Sequence, residues 1–217
     1  MIIGEQPNLD ADKLKPIVDI FKENKDLYYY HHTKSRVTYG LGPRGNTHIP
    51  NTIDPNFWKN HEDIFDYLTK NVYPENVPIF DSWINIYKPN SKMGTSKGEF
   101  FGLHQDKYDD PDDMGKSLMH TTSILLDATE DIKGGHIVIA GDSQDTGAYE
   151  DRWKDTRDIM SRLSVIEMKK PGERCVWNGE TLHGVSEVEQ GCRITLVIIK
   201  KTDWDENYFK IRDYENG

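Results

Sequence analysis

The sequence has few of the features that mark secreted, membrane-spanning or nucleic-acid-binding proteins. Only two of its 217 residues are cysteines, Cys175 and Cys192, which is too few for a disulfide framework and is typical of core-filling side chains. No run approaches the roughly 18 apolar residues of a membrane helix, and no charged-then-apolar leader opens the chain. A net charge of -10 counts against a nucleic acid partner, because phosphate backbones attract clusters of Lys and Arg. We therefore expect a reduced, soluble, cytoplasmic protein with no membrane partner.

The chain is long enough for one globular domain of generous size. Its 217 residues, 35% of them hydrophobic, can enclose a core and a buried pocket, so we predict a single domain over residues 1–217. The spacing of apolar residues changes near residue 80, and no Ser- or Gly-rich linker marks the change. We expect residues 1–80 to supply helices that pack on one sheet, and residues 81–200 to form a β-rich core. The charged stretch 142–163 is interpreted as an insertion between strands.

Two segments of the first part have the apolar spacing of helices. Residues 11–24 place their apolar side chains on one stripe, and residues 55–71 do the same after Asp54, a candidate N-cap. The stretch 38–51 between them is dense in Gly, Pro and Asn, which predicts a loop.

The second part contains six short segments rich in β-branched and aromatic residues, separated by Gly, Pro, Asn or Asp. They are 83–88, 121–128, 136–141, 164–169, 174–179 and 193–200. So many strands closing the chain predict an α+β, mainly β fold with a sandwich or jelly-roll architecture.

The motif His-x-Asp occurs twice, and the bare motif carries little weight. His61 and Asp63 fall in a predicted helix, where positions i and i+2 point far apart. His104 and Asp106 follow the apolar residues of 100–103, which favours extended structure, and in a strand the two side chains share a face. Only the second copy is therefore a candidate for holding one metal ion.

The segment 173–199 carries a second group of candidate residues. His183 follows a strand and a turn, and Arg193 and Thr195 share one face of an otherwise apolar strand. An arginine there is costly to bury unless a carboxylate or phosphate meets it, and its planar fork suits bidentate binding of a carboxylate. We therefore expect an anion in a pocket beside Arg193.

Two imidazoles and one carboxylate form the facial set that leaves coordination positions open on a non-heme Fe(II). In this sequence the set is His104, Asp106 and His183. Arg193 lies ten residues after the distal histidine. The order and spacing of these four residues, in a strand-rich context, favour a metal site over a group of surface charges.

The ordered motifs H-x-D, a later H, and H-x-V-x-x-V-x-x-G-x-R-x-T resemble the Fe(II)/2-oxoglutarate dioxygenases, most of all the prolyl 4-hydroxylase branch. The similarity extends over residues 81–200. Tyr87, the pair Gly134 and Gly135, and the run KKPGERCVWNG before the distal histidine agree with it. The ordered set is specific, whereas each piece alone is common.

The resemblance implies a double-stranded β-helix and a role for each site residue. The implied Fe(II) ligands are His104, Asp106 and His183. 2-Oxoglutarate would chelate the metal through its 2-oxo group and C1 carboxylate, and Arg193 would pair with the distal C5 carboxylate. Thr195 would add a hydroxyl hydrogen bond to that carboxylate, and Tyr87 would line the same pocket.

The reaction implied by the resemblance consumes dioxygen and 2-oxoglutarate, releases succinate and CO2, and hydroxylates an unactivated C–H bond. The branch favours a prolyl residue of a protein or peptide as substrate, and leaves open whether ascorbate assists. Substrate choice would lie in loops 88–103 and 142–163. The first resembles a mobile flap, in which Phe100 or Phe101 could contact a substrate ring, but a plain surface loop fits it equally well.

The chain departs from the branch at Leu125, where many prolyl hydroxylases have a tyrosine. The C5 carboxylate would then have one donor fewer or take it from another residue. His120 and His136 fall in predicted strands without a spaced carboxylate, so we interpret them as satisfied or exposed sheet residues. Trp177 is interpreted as packing against the core.

Other functions are compatible with the same residues. A cupin-like or lectin-like binding module could use the jelly roll and the metal without redox chemistry. A 2-oxoglutarate oxygenase could act instead on a small molecule, or on a nucleobase, although the acidic balance counts against the latter. A binding module has no need of a buried guanidinium facing a metal, so Arg193 separates the first alternative from an oxygenase.

Overall fold

The computed structural model contains three helices and twelve strands within the part of the chain that it describes. That part comprises residues 4–24, 36–42, 54, 56–89, 101–104, 106, 117–142, 164–179 and 181–203. The helices are α1 (Ala11–Glu23), α2 (Phe57–Asn60) and α3 (Glu62–Asn71). Within these described ranges no helix has both the length and the apolar character needed to cross a membrane.

Most of the strands lie in two antiparallel sheets. The large sheet has the order β1 (Gly4–Glu5), β9 (Arg174–Asn178), β5 (Ser117–Ala128), β12 (Arg193–Asp203), β3 (Ile79–Tyr87) and β2 (Arg36–Gly40). The small sheet has the order β4 (Phe101–His104), β10 (Thr181–Val185), β7 (Ile137–Asp142) and β8 (Ser164–Ile166). A separate two-stranded ribbon pairs β11 (Val188–Gln190) with β6 (Lys133–Gly134).

The chain passes repeatedly between the two sheets. It runs from β3 in the large sheet to β4 in the small one, back to β5, and on to β7 and β8 in the small sheet. It then returns to the large sheet at β9, crosses to β10, and ends in the large sheet at β12. This winding is that of a double-stranded β-helix, so the predicted jelly roll is confirmed.

The helices cover the outer face of the large sheet. Side chains alternate between the two faces of a strand, and every second residue of β12, namely Ile194, Leu196 and Ile198, is buried in one cluster with Leu14 and Phe21 of α1. The expectation that N-terminal helices pack on one sheet is therefore confirmed. Burial of this outer face against the helices stabilises the large sheet, and the inner face is free to pack against the small sheet.

The inner face of the large sheet turns toward the small sheet. A second apolar cluster joins side chains of the two sheets there; its members are Leu125, Ile137, Ile139, Met168, Cys175 and Trp177. Arg193 and Thr195 alternate with the outward residues of β12 and therefore lie on the inner face, where each is only 2% exposed. The fold thus places a cation and a hydroxyl in the space between the sheets.

The predicted helix over 55–71 is interrupted at His61. The backbone of His61 leaves helical geometry (φ -134°, ψ 47°), and its N–H donates to the carbonyl of Trp58, which ends α2. The predicted N-cap at Asp54 is two residues too early, because α2 begins at Phe57 and its N-cap is Asn56. The carboxylate of Asp54 does accept a hydrogen bond from the N–H of Asn56, at 2.8 Å. Trp58 of α2 and Ile64 and Leu68 of α3 are all buried in the same apolar cluster.

Residues 1–80 were expected to supply helices, and they also contain strands β1 and β2 and the first two residues of β3. The predicted loop 38–51 begins inside β2, and β1 precedes α1. Val37 and Tyr39 of β2 are buried, and the rings of Phe21 and Tyr39 lie 5.7 Å apart. This packing under α1, together with pairing to β3, outweighs the loop character of the residues that follow.

Each of the six predicted strand segments overlaps a strand. The sequence placed His183 after a strand and turn, whereas it lies inside β10, and His104 is extended in β4 as expected. The described residues omit 90–100 and 143–163, so most of the two predicted substrate loops lies outside them. The end of the first, residues 101–103, belongs to β4 and is not a loop.

Candidate metal and anion site

The predicted ligands Asp106 and His183 meet between the two sheets. Asp106 follows β4, and its Oδ2 lies 3.3 Å from Nε2 of His183 in β10, with the two side chains 10% and 6% exposed. An imidazole and a carboxylate 77 positions apart in the sequence are thus brought into contact by the pairing of β4 with β10.

His104 occupies the position opposite His183 in the antiparallel ladder of β4 and β10. The structure does not describe its side chain, so a distance can be given for only two of the three predicted ligands, Asp106 and His183. Consistent with this, the described side chains include no group of three His, Cys, Asp or Glu residues that could hold a metal ion.

The proton on the His183 ring is fixed by a backbone carbonyl. Nδ1 lies 3.0 Å from the oxygen of Thr181, which can only accept a hydrogen bond. In the neutral ring Nδ1 therefore carries the proton, and Nε2 directs a lone pair toward Asp106. Two lone pairs at 3.3 Å repel one another unless a proton or another cation lies with them.

Two further residues, which the sequence did not single out as functional, bind the carboxylate of Asp106. The hydroxyl of Thr121 donates to Oδ2 at 2.7 Å, and the indole N–H of Trp177 donates to the same oxygen at 3.2 Å. Trp177 was interpreted as simple packing; it does pack in the inner cluster, but its polar edge faces Asp106. No local signal in the sequence could show this, because the contact spans 71 positions.

Arg193 is a buried cation whose guanidinium has unused donors. Its Nε and Nη2 are buried and have no hydrogen-bond partner among the described residues. Burial lowers the pKa of Arg193 to about 10, while Tyr87 acts in the opposite direction, so the side chain remains charged at neutral pH. A buried cation with free donors is the environment that the sequence predicted for binding an anion.

Tyr87 and Thr195 are placed beside Arg193 by strand register. Tyr87 is the partner of Arg193 in the pairing of β3 with β12, and Thr195 lies two residues along β12 on the same face. Leu125 is the partner of Thr195 on the other side, in β5. Leu125, which stands where many prolyl hydroxylases have a tyrosine, therefore lies beside Thr195 and packs in the inner apolar cluster.

Gly135 provides room for the side chain of Arg193. A Cβ built on Gly135 would lie 2.9 Å from Cγ2 of Val188 and 3.4 Å from Cδ of Arg193, and its backbone has φ +70°. Glycine is favoured at positions 134 and 135 because both have a left-handed backbone, and because side chains pack closely against Gly135.

His136 differs from its interpretation as a satisfied or exposed residue. Its Nδ1 is buried without a hydrogen-bond partner among the described residues, and its Nε2 lies 3.6 Å from Glu167. Burial lowers the pKa of His136, Glu167 opposes this shift, and the positive charge of Arg193 adds to it. His136 is thus within electrostatic reach of Arg193.

No protein-family model and no curated protein matches this chain. Solved structures do match it. HygX from Streptomyces hygroscopicus, solved with nickel and 2-oxoglutarate bound, is 12% identical with a TM-score of 0.55, over 93% of this chain and 82% of that one. An oxidoreductase of the 2OG-Fe(II) oxygenase family from Burkholderia pseudomallei is 16% identical with a TM-score of 0.50, over 88% and 79%.

A prolyl-4-hydroxylase from Pseudomonas putida is 14% identical with a TM-score of 0.49, over 91% of each chain. The likenesses to HygX and to the Burkholderia protein agree with the strand order described above. This chain therefore has the double-stranded β-helix fold that is found in 2-oxoglutarate- and Fe(II)-dependent oxygenases.

Proposed function

We propose that this chain is an Fe(II)- and 2-oxoglutarate-dependent oxygenase that hydroxylates a prolyl residue of a protein or peptide. Succinate and CO2 would be released with the hydroxylated product. The observation that carries the proposal is Arg193, a buried cation between the sheets whose Nε and Nη2 have no partner in the part of the chain that the structure describes. The motifs in the sequence and the fold support the same assignment.

The metal would be held by His104, Asp106 and His183. An imidazole nitrogen and a carboxylate oxygen, each about 2.1 Å from one divalent cation and at right angles, are about 3 Å apart. The 3.3 Å between Nε2 of His183 and Oδ2 of Asp106 is close to that value. A shared cation would also remove the repulsion between their lone pairs, so the described residues fit the metal.

The distal carboxylate of 2-oxoglutarate would occupy the unused donors of Arg193. Nε and Nη2 belong to one planar fork, which matches the two oxygens of a carboxylate. Thr195 would add a hydroxyl donor from the same strand. Tyr87, the cross-strand partner of Arg193, would supply the phenol that Leu125 lacks.

The bound metal would supply the activation of dioxygen; the chain's own residues would position and shield the reactants. One oxygen atom of O2 would enter succinate and the other the product alcohol, as 2-oxoglutarate loses CO2 and the substrate loses one C–H bond. Arg193 would fix the far end of 2-oxoglutarate. The inner apolar cluster would exclude water from the reacting centre.

The prolyl substrate is proposed from the spacing of the motifs. A small molecule is the second candidate, because HygX, which shares the fold, has also been solved with hygromycin B bound. A non-redox binding module is the alternative from another class. Succinate formed from 2-oxoglutarate in the presence of Fe(II) and oxygen separates an oxygenase from such a module.

Arg193→Lys and Arg193→Ala test the assignment. Lysine keeps the charge but loses the planar fork, and alanine loses both, so we expect 2-oxoglutarate to bind more weakly in that order. Removal of the buried partner of a carboxylate costs about 2–5 kcal/mol, which is a loss of affinity of about 30-fold or more. Calorimetric titration of 2-oxoglutarate into the Mn(II)-loaded protein, with succinate formation by the Fe(II) form, measures the effect.

Arg174→Lys is the matched control, because Arg174 is also a buried arginine but donates from Nε to the carbonyl of Pro7 at 2.8 Å, on the outer side of the sheet. We expect it to lower stability and leave the affinity for 2-oxoglutarate unchanged. Equal affinity in wild type and Arg193→Ala would contradict the proposal.

A further inference from the structure

Asp106 lies outside any helix or strand, yet its carboxylate is held by two donors from the large sheet. Both donors bind the same oxygen, Oδ2: the hydroxyl of Thr121 at 2.7 Å and the indole N–H of Trp177 at 3.2 Å. Both donor residues are buried, at 0% and 3% exposure. The orientation of the carboxylate is therefore set by side chains that have little freedom to move.

Thr121 and Trp177 form a cross-strand pair. They are register partners in the antiparallel ladder of β5 and β9, so their side chains stand side by side on the inner face of the sheet. β5 in turn pairs with β12 along most of its length. Thr121 thus stands in an inner strand of the large sheet, and Trp177 stands beside it in β9.

Trp177 contacts the second candidate ligand as well. Its ring centroid lies 4.5 Å from that of His183, with 40° between the ring planes. One side chain therefore packs against the imidazole and donates to the carboxylate. A residue that touches both groups can fix their positions relative to one another.

On the basis of the proposed function, we propose that Trp177 and Thr121 are positioning residues for the metal centre, which hold the carboxylate of Asp106 in place beside His183. Hydrogen bonds from outer groups fix the orientation of a carboxylate that binds a metal. With both donors buried and Trp177 packed on His183, the two ligand groups would keep the separation that a shared cation needs. Thr121 and Trp177 would thus support the metal site through Asp106, without touching the metal themselves.

The test uses Thr121→Val, Thr121→Ser and Trp177→Phe. Valine has nearly the shape of threonine without the hydroxyl, serine keeps the hydroxyl, and phenylalanine keeps an aromatic ring without the N–H. We expect Thr121→Val and Trp177→Phe each to weaken Mn(II) binding about 10- to 100-fold, the range for partners of metal ligands. Thr121→Ser should retain nearly the wild-type affinity. Calorimetry and the electron paramagnetic resonance signal of free Mn(II) give these affinities without any turnover.

Trp58→Phe controls for the loss of a tryptophan N–H. Trp58 donates to Oγ of Ser82 at 2.9 Å and to the carbonyl of Gly42, near α2 and away from Asp106. We expect this variant to be less stable but to bind Mn(II) like wild type. Thermal unfolding of every metal-free variant, with affinities measured well below the transition, separates a loss of metal binding from a loss of folded protein.

A second measurement reports on the coordination positions. Under anaerobic conditions 2-oxoglutarate should give the Fe(II) wild type a visible charge-transfer band, and this band should shift or weaken in the Thr121→Val, Trp177→Phe double variant.

Three outcomes are distinguishable. Weakened Mn(II) binding in Thr121→Val and Trp177→Phe, with recovery in Thr121→Ser, supports the positioning role. Wild-type affinity in both folded variants overturns it and leaves the proposed oxygenase intact. A wild-type protein that binds no Mn(II) overturns both proposals.

Discussion

Three buried cations of this chain differ in how their donors are used. Nζ of Lys200 donates to the carbonyls of Thr69, Val72 and Pro74, at 2.8, 2.6 and 3.0 Å. Arg174 donates to the carbonyls of Pro7 and Asn71. Arg193 alone among these three has buried nitrogens without a partner in the described residues. The first two cations serve the fold, and the third is left with donors that a ligand can use.

That Arg193 is exceptional could be predicted from the sequence, because an arginine is unusual in an apolar strand. The hydrogen bond from Trp177 could not, since a tryptophan in a strand is ordinary and the sequence does not show where its indole N–H points. That direction is set by Asp106, which is 71 positions away. Residue type alone therefore drew attention to Arg193 but not to Trp177.

The buried thiol of Cys192 predicts a loss of stability at alkaline pH. Burial raises the pKa of Cys192 to about 12 from an ordinary value near 9, and Asp127 acts in the same direction. The fold favours the neutral thiol, so this contribution is complete below pH 9 and is lost as pH rises toward 12. Between pH 8 and 10 wild type should lose about 1.4 kcal/mol more unfolding free energy than Cys192→Ala.

Urea unfolding of wild type and Cys192→Ala at the two pH values gives this difference. Because both variants share every other titrating group, their difference isolates the thiol. Parallel pH profiles would show that the Cys192 thiol does not behave as a buried acid.

At the scale of elements, β12 organises both layers of the protein. Its outward residues pack under the helices and its inward residues line the space between the sheets. The sequence predicted this strand well, because five of the eight residues 193–200 are Ile, Val or Thr. It missed β10, which has five residues and includes a glycine, and whose strand character depends on pairing with β4 and β7. Short strands of this kind are fixed by their neighbours.

Lys200 connects β12 to the C-terminal end of α3, and its removal should weaken that junction. Lys200→Met keeps the apolar stem but leaves the carbonyls of Thr69, Val72 and Pro74 without their shared donor. We expect a loss of about 3 kcal/mol of unfolding free energy, measured by urea denaturation at unchanged slope.

Lys201→Met is the neighbouring control. Nζ of Lys201 lies 5.3 Å from the ring centroid of Phe80, a contact worth at most about 1 kcal/mol when exposed. Stability losses of similar size in the two variants would mean that the three carbonyl contacts of Lys200 contribute little.

At the scale of the whole molecule, the helices and the two sheets form three layers with an apolar cluster between each neighbouring pair. The helices bury the outer face of the large sheet, so that its inner face can carry polar groups without loss of the core. The sequence predicted the jelly roll and the helical cover from periodicity. It could not predict the added edge strands β1 and β2, because two- and five-residue strands are decided by an available sheet edge. The candidate site lies in the space between the two sheet layers.

The most direct measurement of the central claim is a crystal structure of the protein with Mn(II) and 2-oxoglutarate bound. Mn(II) takes the place of Fe(II) without turnover, so the complex persists. We expect one Mn(II) ion bound by His104, Asp106 and His183, with the distal carboxylate of 2-oxoglutarate on the guanidinium of Arg193. A metal ion bound elsewhere, or a dicarboxylate that makes no contact with Arg193, would contradict the assignment.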